Sequence, residues 1–150
     1  MSKTFVYCSA TGNGDYLAGL MKDHGYEILK LQPKKSFGKK GFFMMMHYGR
    51  LAMKRYAEPL LPYVYEEDVT STLVLGSPVW ASRFSTPINS FLKDHPLGNR
   101  KVVVILYGMG EKNPKAEKNV VKQLPGAIVY YLQNPLKNPE EVEKLLNSIL

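Results

Sequence analysis

The stretch Lys101-Val102-Val103-Val104-Ile105-Leu106-Tyr107 limits what this chain can fold into. Its five central residues are aliphatic and four of them are β-branched, so no side of the strand they form is left for water. Such a strand belongs inside a parallel sheet. A parallel sheet in turn requires crossover segments, usually helices, that cover both of its faces.

The remaining pattern supplies them. Thr4-Phe5-Val6-Tyr7-Cys8 predicts a first buried strand over residues 3–8, and Tyr16, Leu17, Leu20 and Met21 recur at helical spacing over 13–24, with Gly25 placed to stop the helix. Tyr26 to Leu31 alternates, as a strand at a sheet edge would, and Pro33 ends it. Residues 38–56 read as a helix whose stripe of Phe42, Met45, Met46, Gly49, Ala52, Met53 and Tyr56 is assigned to core packing rather than a cofactor box, although methionine also suits adaptable contact surfaces. Pro59 and Pro62 open a loop that runs through Asp68. Leu73-Val74-Leu75-Gly76 is a third strand, whose run continues into Ser77-Pro78-Val79-Trp80. Thr86 and Pro87 look like the cap and first-turn proline of a helix carrying Ile88, Phe91 and Leu92. A helix over 114–124, a strand over 127–131 and a last helix opened by Asn138-Pro139 complete the order. The last helix carries Val142, Leu145, Leu146 and Ile149.

Strict alternation of strand and helix means right-handed crossovers in one parallel sheet. The expected fold class is therefore α/β: a doubly wound three-layer sandwich with a five-stranded parallel sheet of order 2-1-3-4-5, in a single domain over 1–150. In that topology a ligand crevice opens at the carboxyl ends of strands one and three, where the winding reverses. The rule selects the loops 9–14, 77–84 and 108–113, which are also the richest in Gly, Ser, Pro and Trp.

The first loop, Ser9-Ala10-Thr11-Gly12-Asn13-Gly14, lies between a strand and a helix N-terminus. Hydroxyls, glycine-permitted backbone approach and the positive end of a helix dipole suit a phosphate there, although an ordinary strand-to-helix turn uses the same residues. It is no P-loop, because no Lys-Ser or Lys-Thr closes it, and the Gly-x-Gly-x-x-Gly dinucleotide spacing is missing. Asn13 could adopt the left-handed conformation or cap the helix with its side chain.

Together the three loops resemble those of a flavodoxin. Ser9-Ala10-Thr11-Gly12-Asn13 is similar to the family's phosphate loop, Gly76-Ser77-Pro78-Val79-Trp80 to its strand-three loop, and Gly108-Met109-Gly110 stands at the place of its second flavin loop. The resemblance implies the flavodoxin-like fold and FMN as cofactor. It places the phosphate on residues 9–14 and one ring face on Trp80, with Ser77, Pro78, Val79 and Ala81 beside it. An indole suits a large, flat, electron-poor ring on physical grounds as well. The family usually has Thr or Ser where this chain has Gly14, and the second loop has no evident aromatic for the other ring face unless Tyr107 or Met109 leans over it. Arg83 is a candidate neighbour of the ring, with a plain surface arginine as the alternative.

The expected function is an FMN-binding electron-transfer protein of the cytoplasm. An NAD(P)H-dependent FMN or quinone reductase of the same fold, and a flavin-free binding module, are the competing readings. No catalytic acid, base or nucleophile is assigned, since the redox chemistry would belong to the cofactor. His24, His47 and His95 are scattered, which assigns no metal site. Cys8 is the single cysteine and reads as a packed thiol in a reducing compartment. No segment approaches the ~20 apolar residues of a membrane span. The formal charge is +7, with eight Lys and Arg and no acid between Ile28 and Ala57. Such a stretch is a solvated face, or it attracts nucleic acid, anionic lipid or an acidic protein. An acidic redox partner protein is preferred to nucleic acid.

Overall fold

The computed structural model describes residues 3–37, 41–68 and 70–149. Its sheet is built from β1 (Thr4–Tyr7), β2 (Glu27–Lys30), β3 (Leu73–Pro78), β4 (Val102–Gly108) and β5 (Ile128–Gln133). All four pairings are parallel and the spatial order is β2-β1-β3-β4-β5. Thr4 stands opposite both Glu27 and Leu73, Leu73 opposite Val102, and Val103 opposite Ile128.

The period of two along each strand divides the interior into two cores. Phe5, Tyr7, Val74, Val103, Ile105 and Tyr107 face one side. There they meet α1 (Asn13–Asp23) through Leu17 and Met21, and α5 (Pro139–Ile149) through Val142, Leu145 and Leu146. Val6, Cys8, Leu73, Leu75, Val104 and Leu106 face the other. There α3 (Thr86–Asp94) brings Ile88 and Phe91, and α4 (Pro114–Gln123) brings Ala116 and Val120. Every residue from Val102 to Tyr107 is buried, as a run without polar interruption requires. A short 3-10 turn, Pro135–Lys137, precedes α5. The cap of α3 is Ser85, one residue before the Thr86 expected from sequence, because Ser85 still has extended backbone (φ −65°, ψ 156°).

The helix α2 (Phe42–Met53) departs from expectation. Of its apolar stripe only Ala52 is buried, while Phe42 is 71% exposed, Met45 70% and Met53 58%. The core assignment for that stripe is therefore corrected. Both faces of the sheet are already covered by the other four helices, so α2 has no sheet surface left to bury its stripe against. It packs on α3 instead. The expected start at Gly38, with Lys39 and Lys40, lies outside the described residues.

The proline-containing segment that follows is ordered by pairing rather than by regular structure. Leu60 bridges Pro33 in antiparallel fashion, with the Lys34 amide donating to the Pro59 carbonyl at 2.8 Å and Leu61 to Gln32 at 2.8 Å. Tyr63 and Tyr65 then pack on Phe91 and His95. Among the described residues no helix is long and apolar enough to cross a membrane.

Candidate functional site

The loop after β1 ends on Gly12, whose left-handed backbone (φ 91°) makes it the N-cap of α1. The Ser9 hydroxyl accepts from the amides of Gly12 at 3.2 Å and Asp15 at 3.4 Å, which folds the loop around itself. Asn13 takes neither of the roles expected of it. It is the first helical residue, and its Oδ1 accepts from the Leu136 amide at 3.1 Å, fixing the helix start to the 3-10 turn. The glycine takes the left-handed position because it alone has no Cβ to oppose it.

Gly14 is enclosed. A Cβ built there would lie 2.5 Å from the Tyr107 hydroxyl, 2.9 Å from the Cys8 carbonyl oxygen and 2.9 Å from Ser9 Cβ. The Tyr107 hydroxyl donates to the Cys8 carbonyl across this gap. The space that a Thr or Ser side chain would fill is thus occupied from β4. Tyr107 is 2% exposed, and burial raises its phenol pKa, which keeps the hydroxyl a donor. Cys8 is fully buried, and desolvation first of all pushes its thiol up to about 12, so it is inert packing.

Asp15, in the first turn of α1, accepts from the Tyr7 hydroxyl at 2.7 Å and pairs with Lys30 Nζ at 2.9 Å. Burial pulls its carboxyl upward, but the hydrogen bonds from Lys30 and Tyr7 outweigh that and hold it below the ordinary value. A carboxyl depressed in the folded state stabilises above its unfolded value near pH ~4, and that stability is lost as pH falls through the folded value. Both side chains are well exposed, so the contribution is at most ~1 kcal/mol. Acid denaturation of Asp15→Asn should accordingly run nearer to flat below pH ~4 than wild type. An unchanged stability difference from neutral to acid pH would remove the link.

The loop after β3 is held as a tight hairpin. Trp80 and Arg83 exchange two backbone hydrogen bonds of 3.0 Å around Ala81 (φ 50°) and Ser82 (φ 58°). Two consecutive left-handed residues define a type I′ turn, a conformation each side chain opposes by ~1–2 kcal/mol. Asn119 of α4 anchors the turn by donating to the Ser82 carbonyl at 2.8 Å. The turn presents Trp80, whose ring meets Phe37 edge-on at 5.0 Å and Tyr48 at 5.4 Å. The Arg83 guanidinium turns back onto the Ala81 carbonyl at 3.1 Å. Ser77 is fully buried, its hydroxyl donating to the Pro78 carbonyl at 2.8 Å and lying 3.0 Å from that of Ser85.

These loops enclose a cleft of about 340 Å³. Ala10, Thr11 and Asn13 line it from the first loop, Pro78, Val79, Trp80 and Ala81 from the second, and Tyr107, Gly108 and Met109 from the third. Ser9, Gly12, Gly14, Ser77, Arg83 and Gly110 do not line it; Gly110 accepts at its carbonyl from the Tyr131 hydroxyl at 2.7 Å. A fourth wall comes from α2: Met44, Met45, Tyr48 and Gly49. Sequence reasoning missed this wall, though the run Phe42-Phe43-Met44-Met45-Met46 carried a signal, since flexible thioethers adapt to flat ligands. A larger depression of about 580 Å³ over residues 57–65 is built by none of the three loops. Among the described residues no group of three or more His, Cys, Asp or Glu side chains could hold a metal.

A five-stranded parallel sheet of this order, with its cleft at the switch point between β1 and β3, defines the flavodoxin-like fold. Solved structures of that fold superpose on nearly the whole chain. A flavoprotein from Lactobacillus acidophilus NCFM, crystallised in complex with FMN, matches with a TM-score of 0.70 at 13% identity, over 95% of this chain and 98% of its own. A protein from Bacteroides eggerthii, provisionally assigned as a flavoprotein, gives 0.72 at 16% identity over 99% and 97%. Another from Bacteroides uniformis, assigned in the same way, gives 0.70 at 18% identity over 97% of both chains. At these identities the likeness is one of fold. No family model matches the sequence, and no curated protein does.

Proposed function

We propose that the cleft binds FMN and that the protein is a single-domain cytoplasmic flavoprotein that carries electrons. The observation that supports this most is the cleft's two-ended chemistry. One end is the hydroxyl of Thr11 beside the N-terminus of α1, suited to a phosphate. The other end is an apolar slot between Trp80, Met44, Met45, Tyr48 and Met109, suited to a flat ring. The FMN complex of the Lactobacillus flavoprotein lends weight to the same ligand. FMN would supply one- and two-electron redox chemistry, and the protein's part is to orient the ring and limit its contact with water. Among the described residues the cleft lining contains no carboxylate, imidazole, thiol or ammonium, which favours a carrier over a reductase that must also move protons. A net charge of +7 suits an acidic redox partner better than a basic one.

Titrating apoprotein with FMN should quench the emission of Trp80, the only tryptophan. Thr11→Val should weaken FMN by roughly 1.5–3 kcal/mol, about ten- to a hundredfold, by removing a hydrogen bond to a charged group. Unchanged emission at saturating FMN would put the ring elsewhere, and undiminished affinity in Thr11→Val would do the same for the phosphate. Direct oxidation of NADPH by the holoprotein would favour the reductase.

A further inference from the structure

The outward side of α2 is the largest feature that the cleft leaves unexplained. On a helix of 3.6 residues per turn, Phe42, Met45, Met46, Gly49 and Met53 fall in one stripe about 100° wide. Met45 and Gly49 border the cleft, while the rest of the stripe faces away from the body, with Phe42 71%, Met53 58% and Met46 39% exposed. Phe43, 85% exposed, projects beside it. Met44, Tyr48 and Ala52 hold the inner side. The apolar surface is a ridge and not a groove.

The charges on residues 41–57 are all cations; Glu58 follows them and acts on Tyr48, on the inner side of the helix. Arg50 and Lys54 flank the stripe on the side of Phe43, and Arg55 follows at once. Lys34 and Lys35 lie just before Phe37, whose ring packs on Tyr48 at 5.0 Å. Among the described residues none of these five cations has a carboxylate partner. A second copy of this chain would bring the same cations against them, which argues against self-association.

We propose that α2 seats the protein on an anionic lipid surface, with Phe42, Phe43 and Met46 in the acyl boundary and the cations at the headgroups. Three features favour lipid over a protein partner. A protruding ridge needs a matching groove in a protein, whereas a fluid bilayer closes around it. Flexible methionines and phenylalanines demand no shape complement. Protein interfaces fix register with charges of both signs, while a headgroup layer asks only for one. At 12 residues the helix is far too short to span and of a length to lie in the interface. The inference does not depend on the flavin, and apoprotein and holoprotein should behave alike.

Co-sedimentation of the full chain with vesicles decides it. Vesicles of phosphatidylcholine and phosphatidylglycerol, two to one, should bind the protein, and vesicles of phosphatidylcholine alone should not. Added salt should release it. Phe42→Ser with Phe43→Ser, both at exposed positions, should lower the partition more than tenfold with an unaltered circular dichroism melt. Arg50→Gln, Lys54→Gln and Arg55→Gln together should lower it about a hundredfold. Absence of binding to the mixed vesicles, or binding indifferent to the two phenylalanines, overturns the proposal. So does a Phe42- and Phe43-dependent dimer in sedimentation velocity, or capture of a purified acidic [2Fe–2S] ferredoxin by the same residues without any vesicle binding.

Discussion

Gly14→Thr should destabilise the protein by roughly 2–6 kcal/mol and abolish FMN uptake, although threonine or serine is the usual residue there in the family it resembles. The new Cβ would stand 2.5 Å from the Tyr107 hydroxyl and 2.9 Å from both the Cys8 carbonyl oxygen and Ser9 Cβ. Two of those neighbours belong to the loop itself and cannot withdraw without opening it. The third can leave only by releasing the Cys8 carbonyl, which is buried and would lose the hydroxyl as its donor. Overpacking and an unsatisfied acceptor each cost about 1–3 kcal/mol, and together they take a large part of the 5–15 kcal/mol that holds a typical domain. Urea denaturation measures the loss. Gly14→Thr with Tyr107→Phe should recover part of it, because the closest contact is then gone. A single variant as stable as wild type, with undiminished FMN affinity, would mean that the enclosure at Gly14 is not rigid.

Gly76→Ala should cost about 1–3 kcal/mol for a related reason at the centre of the sheet. Its Cβ would meet Phe5 Cζ at 2.5 Å, Phe5 Cε1 at 2.8 Å and Tyr7 Cβ at 3.1 Å. Phe5 is fully buried and its ring stacks on Tyr7 at 5.3 Å with 6° between planes, so it has no free direction in which to move. Shortening the neighbour should relieve the clash. Phe5→Leu alone leaves a cavity and destabilises, whereas the pair Gly76→Ala with Phe5→Leu should lose less than the sum of the two, by 0.5 kcal/mol or about that much more. Thermal denaturation of the four proteins tests the coupling. Strict additivity would show that the ring and the glycine do not share one space.

The sheet was legible because its signal is local. Val102 to Leu106 states in five residues that both faces are covered, and the alternation along β2 marks the edge it occupies. The loops of the cleft followed from topology, since the winding rule needs only the strand order. The direction of α2 did not follow. A helical stripe tells which side of a helix is apolar and says nothing about whether a vacant sheet surface exists to receive it. Nor could the loop sequence explain Gly14, which reads locally as a lost hydroxyl. Its reason is a tyrosine 93 positions away, reaching a carbonyl that no pattern of spacing identifies. Arg83 is a similar case: its place in the loop after β3 was visible, but the carbonyl of Ala81 that holds its guanidinium was not.

The bond between the Leu136 amide and Asn13 joins residues 123 apart in the chain, and the clasp of Tyr107 on Cys8 joins residues 99 apart. The loop between β1 and α1 is continuous in sequence, yet two of its fastenings arrive with the fourth strand and the segment after the fifth. During synthesis residues 9–14 emerge before residues 107 and 136, and must wait for both before those fastenings can close. The shape of that loop is therefore a property of the finished sheet, and a fragment that stops before β4 does not inherit it.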